Sequence, residues 1–404
     1  MNSDPSAQTG VAWPVVALII GAGVISACQL GKAPLALKVV QEELQLGLGT
    51  ASWLISAFAV IGAVAGAPLG LAVDRIGPRR MAVLSLLMMG AGSALGAFSN
   101  DAKILLATRV LEGLGFLGLI VAAPTLIAAV ASDRIRDRAM ALWAIFMPTG
   151  LMLVLLAAPL MQTITWRGFW LLNAAILITY AALLGWAVPL ARRASQRHSS
   201  IHRDIKQALA APGPWVLGGV FALFSIIFFA VFGFLPSLLT DRLGVSDEAA
   251  SMLSAMAVAA SGVGNIVCAQ LLARGAQSIR LLYVSFGTMM VCSIGVFSAP
   301  LAGSAIYALC LVFTFASGFV PVVIFKNAPL YAPHNALVGA TLGFAMQGNN
   351  IGLLIGPAVA GGVAAAYGWS AVSLLIVACF PVVALLLVAF QKLSVQKERS
   401  ALFS

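Results

Sequence analysis

Apolar residues in this chain neither alternate nor mark one face of a helix; they run on for about twenty positions at a time between short polar breaks. Twelve such runs stand out, at about 13–35, 50–72, 81–99, 103–128, 140–163, 168–190, 215–239, 249–272, 280–299, 304–326, 340–364 and 370–390. Each can cross a hydrocarbon layer of ~30 Å as a helix. Backbone groups inside lipid must be satisfied within the segment, and uninterrupted runs suit helices, whereas a barrel strand would alternate over ~10 residues. The pattern therefore predicts an all-α polytopic membrane protein with twelve transmembrane helices.

The longest polar break covers 191–214 and carries Arg192, Arg193, Arg197, His198, His202, Arg203 and Lys206. It divides the chain into two six-span halves, 1–190 and 215–404, joined by a basic linker. The halves read as degenerate copies. Pro124 in span 4 has Pro321 in span 10, and Pro159 in span 5 has Pro357 in span 11, at offsets of 197 and 198 residues. The exits Trp166-Arg167-Gly168-Phe169 and Tyr367-Gly368-Trp369-Ser370 resemble each other as well.

Composition agrees with this class. Hydrophobic residues make up 61% and charged residues 9%, with a mean hydropathy of +1.03; a soluble domain carries roughly 25% charged residues. The net charge of +10 taken by itself would point to nucleic acid, but its distribution gives another answer. With both termini on one side, that side holds 17 of the 23 Lys and Arg, so the positive-inside rule makes the termini cytoplasmic and the charge a topology signal. A cytoplasmic (inner) membrane location and a monomer are expected, with no nucleic-acid partner. Residues 1–12 lack Lys and Arg, which argues against a cleaved signal peptide. Cys28, Cys268, Cys292, Cys310 and Cys379 all fall within spans without a C-x-x-C, so packing is their expected role and no metal site is expected.

Between spans 2 and 3 lies Gly70-Leu71-Ala72-Val73-Asp74-Arg75-Ile76-Gly77-Pro78-Arg79-Arg80. Gly70, Asp74, Arg75, Gly77, Arg79 and Arg80 stand where the loop-2/3 signature G-x3-D-[RK]-x-G-x-[RK]-[RK] of the major facilitator superfamily would place them. The second half keeps only an eroded counterpart, Gln270 to Gly275 with Arg280. The resemblance implies two pseudo-symmetric six-helix bundles that rock around a cavity lined by spans 1, 4, 5, 7, 8, 10 and 11. It also implies that this loop latches the halves on the cytoplasmic side; read from the residues alone, it is an ordinary positive-inside loop.

Ionisable groups inside a span are expensive and point to function. Span 4 reads Arg109-Val110-Leu111-Glu112-Gly113-Leu114-Gly115 and resembles the family's R-x-x-x-G-x-G. Arg109 and Glu112 share a helical face. They are candidates for substrate attraction and proton exchange, and equally for a closed ion pair that packs span 4. Span 1 offers Ser26, Gln29 and Lys32 as a polar stripe. Gln29 suits a midplane cavity, whereas Lys32 either attracts substrate or snorkels to the interface. Span 11 offers Gln347 and Asn350, for substrate or for helix contacts; Asn173 and Asn265 read as packing residues.

These residues predict a secondary active transporter of a small organic solute, anions included, that works by alternating access with a proton as coupling ion and no other cofactor. Two short segments, Arg109–Phe116 and Phe232–Pro236, loosely resemble the cyanate-permease-like branch of the superfamily. The alternative is a proton-driven multidrug efflux antiporter, although the span-5 pattern G-x8-G-x3-G-P-x2-G-G of such antiporters is largely missing after Gly150. No G-x4-G-K-[ST] loop and no enzyme constellation appears; His198, His202 and His334 lie in predicted loops.

Overall fold

The computed structural model of the chain describes residues 13–64, 76–131, 135, 139–140, 142–143, 145–188, 207, 210–298, 301–333 and 338–402. Gly70, Asp74 and Arg75, most of the expected linker and the three histidines lie outside them. Among the described residues all regular structure is helical. Ten helices are long and apolar enough to cross a membrane, and Leu48–Val64 and Phe146–Leu156 are shorter apolar helices at the places of spans 2 and 5.

Span 1 is the helix Trp13–Glu43, well longer than its apolar run because Lys32 and Lys38 interrupt the hydropathy without ending the helix. Span 3 is Pro78–Ala97 and span 4 Ala102–Val130. Span 5 begins at Phe146 and turns into span 6 at Thr165, whose φ of 59° and ψ of 169° break the helix Ala158–Ala187. Span 7 is built from Pro212–Phe232 and Leu235–Leu243. Spans 8 and 9 are Asp247–Ala273 and Ser278–Ser298. Span 10 is interrupted at Gly318, between Gly303–Ser317 and Phe319–Tyr331. Spans 11 and 12 are Val338–Tyr367 and Trp369–Leu402.

Local chemistry sets the ends. The Asp101 carboxylate accepts from the amides of Lys103 and Ile104 at 2.6 and 3.4 Å and caps span 4; Ser246 caps span 8 by accepting from Ala249 N at 3.2 Å. Gly77 takes a φ of 91°, a conformation that favours glycine, directly before Pro78 opens span 3. Two arginines at the loop-1/2 end serve as helix caps. Arg167 donates to the carbonyls of Ala97 and Ser99 at 2.9 and 2.6 Å, closing span 3. Arg242 donates to those of Val296 and Phe297 at 2.9 and 3.1 Å, closing span 9. The third helix of each half is thus finished in the same way.

The repeat is also visible in packing. Gly150 of span 5 lies against the Val24 carbonyl of span 1, and Gly348 of span 11 lies against the Gly218 carbonyl of span 7. These glycines are 198 residues apart, the offset of Pro159 and Pro357. Small residues let membrane helices approach to backbone contact, where dispersion holds them together without any hydrophobic driving force.

The two halves meet along two seams. Span 2 lies on span 11: Gln347 Nε2 donates to the Ala63 carbonyl at 2.9 Å, Asn350 packs on Gly62, and Ser52 faces Gly361. Span 5 lies on span 8, with Pro148 against Gly262. At the loop-1/2 end Lys38 and Asp247 form an exposed ion pair at 3.5 Å that joins the halves.

A side chain at Gly348 would overlap backbone of span 7, whereas nothing lies within 4 Å of a Cβ at Gly343. Overpacking of this kind typically costs 1–3 kcal/mol. Gly348→Val should therefore lower the thermal unfolding temperature of detergent-purified protein clearly, and Gly343→Val should leave it within error of the parent.

Candidate functional site

Span 4 carries its two charged residues one turn apart, so both face the middle of the first half. Arg109, Glu112 and Lys32 are each fully buried there. Glu112 Oε1 accepts from Lys32 Nζ at 2.6 Å, and its Oε2 pairs with the Arg109 guanidinium. Lys32 therefore does not snorkel: its ammonium stays inside the bundle, where it also donates to Ser93 Oγ at 2.7 Å and sits over the Trp170 ring at 4.6 Å. Ser93 in turn donates to the Trp170 carbonyl at 2.7 Å.

Arg109 completes the cluster. Its Nε donates to the Leu54 carbonyl and its Nη1 to the Gln29 carbonyl, both at 2.9 Å. The guanidinium lies over the Phe58 ring at 4.7 Å. Span 2 departs from α-helical geometry at Ala57–Ala59, a 3-10 stretch beside the carbonyl that Arg109 takes. Gly113, next to Glu112, is where span 2 passes closest; a Cβ there would collide with the Phe58 carbonyl. The glycine of R-x-x-x-G thus lets span 2 reach the arginine.

Gln29 donates from Nε2 to Asn173 Oδ1 at 3.0 Å, and Asn173 donates to the Phe169 carbonyl at 2.8 Å. The pair links span 1 to span 6. Among the described residues, Arg109 Nη2, Gln29 Oε1 and Trp170 Nε1 are buried without a hydrogen-bond partner. The cluster holds two cations and one carboxylate, so one positive charge is in surplus. A buried net charge is costly unless something neutralises it. Chemically, the arrangement offers a place for one negative charge or for the departure of one proton.

The other sequence candidates lie elsewhere. Gln347 and Asn350 belong to the seam between spans 2 and 11. Of the charged turn, Arg79 donates to the Gly185 carbonyl at the end of span 6, within its own half, and Arg80 is exposed. Ser93 and Trp170 are not among the sequence candidates and Asn173 was expected to pack; Ser93 lies on the neighbouring span 3, Trp170 and Asn173 on span 6, and none carries a local motif.

In the second half the equivalent interior has no ion pair among the described residues. Span 7 presents a ladder of Phe224, Phe228 and Phe232, stacked at centroid distances of 5.7 and 5.5 Å, with Phe313 of span 10 stacked on Phe228 at 6.4 Å.

A family model described as Major Facilitator Superfamily matches residues 18–345. A chloramphenicol resistance protein of Streptomyces lividans is 29% identical over 236 residues, which cover 57% of this chain and 60% of that protein. The 3-(3-hydroxy-phenyl)propionate transporter of Escherichia coli strain K12 is 24% identical over 330 residues, 79% of this chain and 78% of its own. The fold matches a bacterial homologue of the human lysosomal transporter Spinster, solved in an inward-facing and occupied conformation, with a TM-score of 0.79 at 14% identity over 98% of this chain and 99% of that one. The looser likeness to the cyanate-permease-like branch finds no support in these relatives.

Removing the carboxylate would strand two buried cations, a change that typically costs 3–5 kcal/mol. Glu112→Ala should therefore destabilise the purified protein strongly in chemical denaturation, and Glu112→Ala combined with Lys32→Met should recover a large part of the loss. Additive effects of the two substitutions would contradict the pairing.

Proposed function

The chain belongs to the major facilitator superfamily, and on that premise we propose that this transporter moves a small organic anion by proton-coupled alternating access. The surplus positive charge buried around Arg109 carries the reading. A monovalent carboxylate would offset it and would meet the unpartnered Nη2 of Arg109, a planar donor suited to carboxylates. The likeness to a transporter of an aromatic carboxylate over most of both chains supports the same class of cargo. Parallel six-helix repeats with a midplane site between them fit rocking of one half against the other.

The orientation belongs to the proposal. With the termini cytoplasmic, the Lys38–Asp247 pair closes the external end in this conformation. Opening there would part the outer ends of spans 2 and 11, where Ser52 faces Gly361. The described part of the charged turn would then lie at the cytoplasmic end, where Gly77 and Arg79 fix the start of span 3 and the end of span 6.

Drug efflux is the second reading. The likeness to a chloramphenicol resistance protein and the phenylalanine ladder of span 7 favour it. Expression in a pump-deficient host separates the two: lowered drug accumulation supports efflux, and uptake of a small acid supports import.

Proton coupling is assigned to the cluster that contains Glu112. Glu112→Gln should abolish pH-gradient-driven accumulation of the transported acid in proteoliposomes while leaving counterflow partly intact. Unchanged driven accumulation would exclude coupling through this cluster.

A further inference from the structure

We infer that Lys32, and not Glu112, is the group that exchanges the coupling proton. The inference rests on the reading of the chain as a proton-coupled carrier and narrows it to one atom, Lys32 Nζ. Charge comes first. With all three side chains ionised the cluster carries one surplus positive charge. Protonating Glu112 would double that surplus in a site sealed from water, whereas deprotonating Lys32 removes it. Arg109 has no part in this exchange, because a guanidinium keeps its proton in proteins.

Hydrogen bonding leads to the same atom. Both oxygens of Glu112 already accept from cations, one from Lys32 and one from Arg109. A proton on either oxygen would remove the negative charge with which both donors pair. Lys32 has only two acceptors, Glu112 Oε1 at 2.6 Å and Ser93 Oγ at 2.7 Å. An ammonium has three N–H groups and a neutral amine two, so the amine retains both of its hydrogen bonds. The third N–H is the one to spare, on an ammonium that otherwise faces the Trp170 ring. That ring carries a buried Nε1–H without a partner among the described residues.

Among the described residues, no neighbour of Lys32 other than Glu112 is a rival proton carrier. Span 4 presents Glu112 and Arg109, span 3 presents Ser93, and span 6 presents Trp170. Span 5 presents apolar Leu151 and Val154 beside Gly31. On span 1 itself Cys28 lies one turn away, with its thiol directed to the carbonyls of Val24 and Gly150.

The step is a simple dissociation: Lys32 Nζ–H breaks heterolytically, the electron pair stays on nitrogen, and the proton passes to water on the side to which the carrier is open. The interior is then electrically balanced in two states. In one the amine is neutral and no anion is present; in the other the ammonium faces one monovalent anion. Proton and anion accordingly travel together.

The test needs no knowledge of the cargo. Protons released by the purified full-length chain between mildly acidic and mildly alkaline pH are counted for the parent, Lys32→Arg and Lys32→Met. Each variant is checked for monodispersity, so that a folded one of the two suffices. The parent should release about one proton per chain more than the folded variant. Equal counts overturn the inference. Infrared difference spectra over the same interval should show no carboxylic-acid band that Glu112→Gln removes, and such a band would also overturn it. If the counts agree while driven accumulation still collapses in Glu112→Gln, the assignment to Lys32 fails and the coupled-carrier reading survives. If the counts differ and driven accumulation ignores the pH gradient, the titration stands and the coupled-carrier reading fails.

Discussion

A single buried carboxylate holds the first half together. Glu112 binds Lys32 of span 1 and Arg109 of its own helix, Arg109 reaches the backbone of spans 1 and 2, and Lys32 reaches Ser93 of span 3. Ser93 holds the Trp170 backbone of span 6, and Gln29 holds Asn173 on the same helix. Five of six helices therefore converge on one ionic point. In a low-dielectric interior such a network is rigid when satisfied and costly when disturbed. Among the described residues its satisfaction is incomplete, with one charge in surplus and three of its polar atoms unpartnered, and the proposed function rests on that imbalance.

Among the described residues, the interior of the second half packs without an ion pair. Span 7 and span 11 meet through backbone at Gly348, Gly352 and Gly356, and Ser225 donates to Asn349 Oδ1 at 2.5 Å. The phenylalanine ladder fills the space on the other side of span 7. The pseudo-symmetry of the backbone thus coexists with a division of chemistry, charge in one half and aromatic surface in the other. A carrier that binds an anion with an apolar body can use both, since rocking changes how the two halves face each other.

Much of this architecture is legible in the chain, because a membrane forces helices to be long and apolar. Lys32 is the instructive case: of its two expected readings, substrate attraction and snorkelling, its burial against Glu112 rules out the second. Its partner Glu112 lies 80 residues away, and a lysine near the end of an apolar run looks like an interfacial anchor. Span 1 also runs past its expected end at 35, since Lys38 sits inside a helix that continues to Glu43. Gln347 and Asn350 were recognisable as polar groups in lipid, but their place on the seam depends on how two halves dock, for which no local pattern exists. Arg167 and Arg242 stand at the end poorer in Lys and Arg, and as caps on the free carbonyls of spans 3 and 9 they have a reason to be there.

On the proposed function, the charge around Arg109 selects the cargo. That selection is tested most directly by ligand-induced thermal stabilisation of the purified chain, screened with small organic acids, nitriles, amino acids and apolar drugs, for the parent and for Arg109→Ala. The account predicts that a small acid stabilises the parent and loses its effect in Arg109→Ala. Stabilisation by apolar drugs alone, undiminished in Arg109→Ala, would contradict it.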